Sequence, residues 1–188
     1  MSETTGPFQG RLLVASPRLL DPNFVRTVVL ILAHGDQGAV GLVLNRPSTT
    51  LVSSPLPAWE DLATAPSVVF VGGPVSAGSI CLAQVKSEVS VPDAGYLPLK
   101  GTLGTVDLEA DPAFVGPWMD KLRIFAGYAG WGSGQLEGEI GEGAWWVVDS
   151  RDEDAFSDDP SGLWKRVLRR QGGKLSLISY YPPDVSLQ

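Results

Sequence analysis

Two stretches of this 188-residue chain bring together side chains suited to holding an anion. Asn45 and Arg46 stand just before Pro47. There a guanidinium, permanently charged and fork-shaped, could grip a carboxylate or phosphate, or lock a loop by donating to carbonyls. Further on, the run from Phe125 to Trp146 sets Tyr128 and Trp131 among Gly127, Gly130, Gly132 and Gly134, followed by Gln135, Glu137 and Glu139. Glycine at this density lets the backbone approach another group closely, so beside aromatic rings it fits either a packing corner or a ligand shelf. The Gly72-Gly73 corner before Pro74 adds backbone donors. Convergence of Asn45, Arg46, Gly72, Gly73, Tyr128, Trp131, Gln135 and Glu137 would make a polar, aromatic pocket for a small ligand. An enzyme acting on a small anionic substrate would use Arg46 as anchor and Glu137 or Glu139 as acid or base.

Other chemistries find little support. One histidine and one cysteine do not make a zinc site of the usual kinds. The acidic run Asp152-Glu153-Asp154 with Asp158-Asp159 lacks the glycine and the distal glutamate of a calcium loop, and helix capping accounts for it better. No metal and no cofactor are therefore expected. Ser133 is flanked at two residues by Trp131 and Gln135 rather than glycines, so it is not a nucleophile elbow. Val71 to Gly78 lacks the Gly-Lys-Ser/Thr ending of a phosphate loop, and Pro74 removes a donor from its cradle. Cys81 lies in the apolar run Ile80 to Ala83, where a buried, inert thiol is expected, and His34 reads as a solvated loop residue. The cations Lys165, Arg166, Arg169 and Arg170 form the one face suited to nucleic acid. No helix-turn-helix or stacking-platform signature accompanies them, and nearby acids weaken their field.

The bulk composition agrees. A net charge of −7 opposes non-specific attraction to nucleic acid or anionic membrane. Hydrophobic content of 44% supports one packed domain, and the length is short for two. A lone cysteine allows no internal disulfide, the first residues lack the basic and apolar regions of a signal peptide, and no apolar run approaches membrane-spanning length. The expectation is a cytoplasmic protein with residues 1–9 as a flexible tail and 10–188 as a single domain.

The elements that must position these residues are marked by pattern and punctuation. Leu12 to Ala15 reads as a strand, and Thr27 to Ala33 as a strand buried on both faces. The latter pairs antiparallel with Ala39 to Leu44 through the exposed connection His34 to Gly38. Further strands are predicted at Ser67–Val71, Ile80–Val85, Thr102–Leu108, Leu122–Ala126, Ala144–Val148 and Leu175–Ser179, with a proline-broken stretch before Thr102. A glycine-punctuated turn is predicted to carry Tyr128 and Trp131. Leu136 and Ile140, four apart, give the short acidic helix after it one apolar face. That helix is too short and glycine-rich to stand undocked. The best-marked helix runs from Pro160 to Gln171, with Asp159 as cap, Gly172-Gly173 as stop, and Trp164, Val167 and Leu168 facing the core. Early hairpins with helices gathered late indicate an α+β fold.

Five blocks in order resemble the YqgE/AlgH family of small bacterial proteins. They are Gly10 to Ala15 with Asp21 to Phe24, Gly38 to Pro47, Gly72 to Val75, Phe125 to Glu137, and Leu163-Trp164 with Leu168 to Gly173. The family usually has proline at the position of Ser133. The resemblance implies a mostly antiparallel, strongly curved, barrel-like β-sheet surrounded by helices. Members are sometimes labelled transcriptional regulators. The reading that follows is a non-catalytic protein binding a protein partner or small ligand. The enzyme described above comes second, and direct DNA binding third.

Overall fold

One long strand organises the molecule, whose computed structural model describes residues 6–91 and 95–182. In chain order the strands are β1 (Arg11–Ala15), β2 (Val28–Gly35), β3 (Gly38–Val43), β4 (Pro47–Leu51), β5 (Val68–Val71), β6 (Val75–Val85), β7 (Tyr96–Lys100), β8 (Leu103–Val106), β9 (Met119–Trp131) and β10 (Trp145–Asp149). The 13-residue β9 pairs with β6 along one edge. Its other edge changes partner: Phe125 and Ala126 lie parallel to Phe70 and Val71 of β5, whereas Ala129 to Trp131 pair antiparallel with Ala39 to Gly41 of β3. From that switch the order runs β10-β1-β2-β3 on one side and β6-β8-β7 on the other, with β4 outside β5. The fold is α+β, a single domain built on a mostly antiparallel sheet curled into a half-barrel. Its ends approach through side chains: Lys100 Nζ donates to Ser150 O at 3.2 Å, and Thr102 Oγ1 donates to Asp152 Oδ2 at 2.9 Å.

Both faces of the sheet are covered, which is why its strands are apolar on alternate and intervening positions. Leu12, Val14 and Leu30 point to a core with Phe70, Phe125, Trp164, Val167 and Leu168, while Leu13, Ala15, Val29 and Ile31 point to a second core with Trp131, Leu136 and Trp145. The first is roofed by α4 (Leu163–Gln171), and the second by α2 (Gln135–Gly141). Two shorter helices, α1 (Pro112–Val115) and α3 (Asp152–Ala155), and a last one, α5 (Gly173–Ile178), fill the margins. Asp111 caps α1 by accepting from Ala113 N at 2.9 Å, and Asp159 accepts from Gly162 N at 3.1 Å ahead of α4. None of the helices among the described residues is long and apolar enough to cross a membrane.

The hairpin of β2 and β3 is antiparallel as expected, but its strands run further, leaving Asp36-Gln37 as the turn. His34 is therefore not a solvated loop residue. It belongs to β2, with a side chain only 5% exposed. Residues 6–9, read as tail, form a turn on this strand: Gly6 N donates to His34 O at 2.9 Å, and Phe8 lies 4.6 Å from the imidazole, ring centre to ring centre. Residues 1–5 lie outside the described residues.

Three more expectations change. The predicted turn bearing Tyr128 and Trp131 is the second half of β9, because β3 supplies a ladder there that no local signal announces. The proline-broken stretch contains β7, an edge strand, where a proline leaves no ladder donor unmet on the open side. The predicted strand Leu175–Ser179 is helix α5: Leu175 and Ile178, three apart, pack on the core while Leu177 stays 71% exposed.

Candidate functional site

Seven of the eight residues singled out by sequence fall into three groups, and Tyr128 stands apart from them. Asn45 clamps the chain entering β2: its Oδ1 accepts from Val28 N at 3.0 Å and its Nδ2 donates to Arg26 O at 2.9 Å. Arg46 donates to Pro22 O at 3.2 Å and Val25 O at 3.0 Å, so it locks the Asp21 to Val25 turn. Gly72 and Gly73 fill the gap where β3 and β9 diverge. Gly72 N donates to Ala126 O at 2.8 Å, while Gly72 O accepts from Val43 N at 2.8 Å.

The third group surrounds α2. Trp131, 6% exposed, donates from Nε1 to Glu139 Oε2 at 3.0 Å, and Trp145 Nε1 donates to the same oxygen at 2.8 Å. Gln135 Nε2 donates to Glu139 Oε1 at 2.9 Å, and Gln135 Oε1 accepts from Gly132 N at 3.0 Å. Glu137 Oε1 sits 2.8 Å from His34 Nε2. Its own backbone N–H, and then His34, hold the Glu137 carboxyl below its ordinary value. Phe24, carried by the turn that Arg46 locks, stacks on Trp131 at 6.0 Å and meets Trp145 edge-on at 5.5 Å. Arg46 and Trp131 thus brace one turn from two sides. Tyr128 is half-buried against the first core.

Leu136 is fully buried in this corner, and Ile140 is half-buried beside it. Leu136→Ala should therefore cost about 2–5 kcal/mol, as a buried truncation does. Urea denaturation monitored by the fluorescence of Trp131 and Trp145 would measure it. A loss below about 0.5 kcal/mol, the scale of a surface change, would show that α2 is not held by its apolar face.

None of the eight residues lines a cleft of about 810 Å³ between α4 and the margin of the sheet. One wall is Thr64, Ala65 and Lys121; the other is the Arg151 to Asp158 segment with Arg166, Arg169 and Arg170 of α4. Beneath it lies Arg123, 1% exposed, a charge inside the apolar run Leu122 to Phe125 of β9. Its guanidinium donates to Ala155 O at 3.0 Å, Ala65 O at 2.8 Å and Ser157 O at 3.1 Å, tying both walls together. It stacks 4.2 Å over Phe70, and its Nε has no partner among the described residues. Burial pulls the Arg123 pKa down to about 10, opposed by the negative charge of Asp158.

The cleft's other cations differ in how far they are neutralised. Arg170 makes a two-pronged pair with Asp154 at 2.5 and 2.7 Å. Arg166 reaches Asp159 Oδ2 at 2.7 Å, and Arg151 lies 3.6 Å from Glu153. Lys121 and Arg169 have no acidic partner within 4.0 Å among the described residues, although Arg169 rests 5.1 Å over the Tyr180 ring. The sequence had marked Arg166, Arg169 and Arg170 only as a helix face. Arg123 carried one available signal, a charge inside the apolar run Leu122 to Phe125, and Lys121 beside Asp120 carried none.

Cys81, His34 and Glu139 are each buried or engaged in structural contacts. Cys81 is 1% exposed, and burial pushes its thiol well above the ordinary value. His34 faces Glu137, and Glu139 is held by two indoles and an amide. Among the described residues, no three of His, Cys, Asp and Glu are grouped to hold a metal ion.

A family model described as AlgH-like (DUF179) matches residues 12–176. A UPF0301 protein of Streptomyces avermitilis is 52% identical over 181 residues, covering 95% of this chain and 94% of its own. One from Thermobifida fusca is 44% identical over 192 residues, covering 95% and 94%. Among solved structures, the crystal structure of protein DIP2367 from Corynebacterium diphtheriae superposes with a TM-score of 0.88 at 31% identity, covering 96% of this chain and 95% of that one. The solution structure of the AlgH protein from Pseudomonas aeruginosa gives a TM-score of 0.68 at 31% identity, covering 95% and 97%. The five sequence blocks, the half-barrel they build and these matches agree, and the chain belongs to the AlgH-like family of UPF0301 proteins.

Proposed function

We propose that this chain is a non-catalytic binding protein that takes an anionic ligand in the cleft between α4 and the start of β9. The observation that carries this reading is the imbalance of charge in the cleft. Lys121 and Arg169 have no ion-pair partner among the described residues and lie above the buried Arg123, in a chain whose net charge is −7. Cations gathered against the sign of the whole molecule attract an anion locally while the rest of the surface repels polyanions. The enzyme reading loses support because Arg46, Glu137 and Glu139 each serve a separate structural contact. Direct DNA binding loses support because Arg166 and Arg170 are spent on Asp159 and Asp154.

Backbone amide shifts in the isotope-labelled protein test this. Acetate, compared with chloride at equal ionic strength, should move resonances of residues 64–65, 121, 151–158 and 163–170. Lys121→Gln/Arg169→Gln should reduce the response at least tenfold while leaving the remaining spectrum intact. A duplex of about 20 base pairs at physiological salt should form no complex, since electrostatic binding weakens steeply with salt. Acetate shifts gathered around Arg46 and Gly72-Gly73, no shifts, or a salt-resistant DNA complex would overturn the reading.

A further inference from the structure

The cleft is richer in information than its overall sign, because each of its charges can be matched or left over. Arg170 is satisfied by Asp154, Arg166 by Asp159, and Arg151 by Glu153. Asp158 is the remaining acid on the lining, and its field acts on buried Arg123, which has no ion pair within 4.0 Å among the described residues. Among the described residues, Lys121 on one wall and Arg169 on the other are left over. Two unmatched positive charges face a common space, one a compact ammonium and one a planar guanidinium.

The space itself is larger than a bare inorganic anion needs. About 810 Å³ lies in the range of sites for organic molecules of cofactor or drug size. Phe156 and Leu163, 5% and 2% exposed, turn what apolar surface they retain to its lining. A charge excess of two beside an apolar floor complements a doubly charged head carrying an organic body.

Resting on the reading of this cleft as an anion site, we infer that its ligand is a small organic dianion of the phosphate-monoester class, with the head between Lys121 and Arg169 and the body over Phe156 and Leu163. Binding involves no bond making: the ligand replaces water around two cations. The walls hold their spacing through Arg123, which bonds Ala65 O on one side and Ala155 O and Ser157 O on the other. The interleaved acids Glu153, Asp154 and Asp158 exclude a polyanion, which would have to run past them.

Phenyl phosphate is the probe, with benzenesulfonate as a monoanion of similar shape and succinate as a dianion without phosphorus. All three are titrated into the full chain at a fixed ionic strength, followed by amide shifts. A phosphate monoester gains its second charge near pH 6, so phenyl phosphate affinity should rise at least fivefold from pH 5 to pH 7.5. Benzenesulfonate should bind at least tenfold more weakly at pH 7.5. The charged groups facing the site are Lys121, Arg151, Arg166, Arg169 and Arg170, with Glu153, Asp154 and Asp158. His34, the one histidine, lies against Glu137 under α2 and does not line the cleft. Lys121→Gln and Arg169→Gln should each weaken phenyl phosphate about tenfold and remove most of its advantage over benzenesulfonate.

Succinate at least tenfold weaker than phenyl phosphate supports the phosphate source. Succinate equal to it at pH 7.5 overturns the phosphate assignment in favour of a dicarboxylate. Benzenesulfonate binding as tightly as phenyl phosphate, with shifts still in the cleft, overturns the dianion and leaves the anion reading standing. No shift in the cleft with any of the three, and none with acetate, overturns both.

Discussion

Gly73→Ala is expected to cost the protein more than about 4 kcal/mol, a loss reserved for changes the fold cannot absorb. A Cβ built on Gly73 would stand 2.2 Å from Tyr128 C and 2.3 Å from Ala129 N, and both are backbone atoms of β9. Neither can swing aside as a long side chain would. Moving them would disturb the ladder at the point where β9 passes from β5 to β3. The neighbouring Gly72 has the same constraint, with its Cβ 2.2 Å from Gly127 O. The control is Gly138→Ala, in α2, where among the described residues no atom beyond the chain neighbours and the helix's own backbone lies within 4 Å of the added methyl. Alanine should stabilise that position by up to about 1 kcal/mol through helix propensity. Urea midpoints of the two variants should move in opposite directions. A Gly73→Ala protein as stable as the parent would mean that the close approach of the two strands is not essential to the half-barrel.

Arg123→Ala should be the most damaging change of a charged residue, costing about 3–5 kcal/mol. It leaves the carbonyls of Ala65, Ala155 and Ser157 without their donor and opens a void beside Phe70. The pH dependence has a definite sign. Burial lowers the folded-state pKa to about 10, so the folded protein releases this proton more readily than the unfolded chain does. Charge on Arg123 is therefore held at a cost at every pH below about 10, and the cost is relieved only as pH rises from there towards the ordinary arginine value. The difference between parent and variant should accordingly be flat from pH 5 to 9. Because Arg123 joins the two walls, the variant should also lose anion shifts in the cleft, whereas Lys121→Gln should lose them without a fall in stability. A thermal midpoint unchanged in Arg123→Ala would show that the walls are held by other means.

Much of the fold was legible because its signals are local. The apolar character of Thr27 to Ala33 on both faces announced a strand between two cores, and β2 has one on each side. Asp159, Pro160 and Gly172 bracketed the final long helix, whose Trp164, Val167 and Leu168 are buried as their spacing required. The signature run was legible as a place where the backbone comes close to something, but the pattern did not say to what. Gly127 and Tyr128 meet the Gly72-Gly73 corner, some fifty residues earlier in the chain.

The rest depended on contacts between distant segments. Whether Tyr128 and Trp131 sat on a turn or a strand was decided by β3, and whether Leu175 to Ile178 extended or coiled was decided by the surface that α5 covers. The same holds for chemistry. Arg46 was as well suited to an anion as any residue in the chain, until the tertiary fold set Pro22 O and Val25 O within its reach. Arg166, Arg169 and Arg170 read alike in sequence, yet Asp159 and Asp154 neutralise the first and last, while Arg169, across the cleft from Lys121, has no acidic partner among the described residues. Amino-acid type fixes what a side chain can do and its neighbours in sequence fix the local backbone. Which charge stays free is fixed by packing, because an ion pair forms only when two segments are brought within hydrogen-bonding distance.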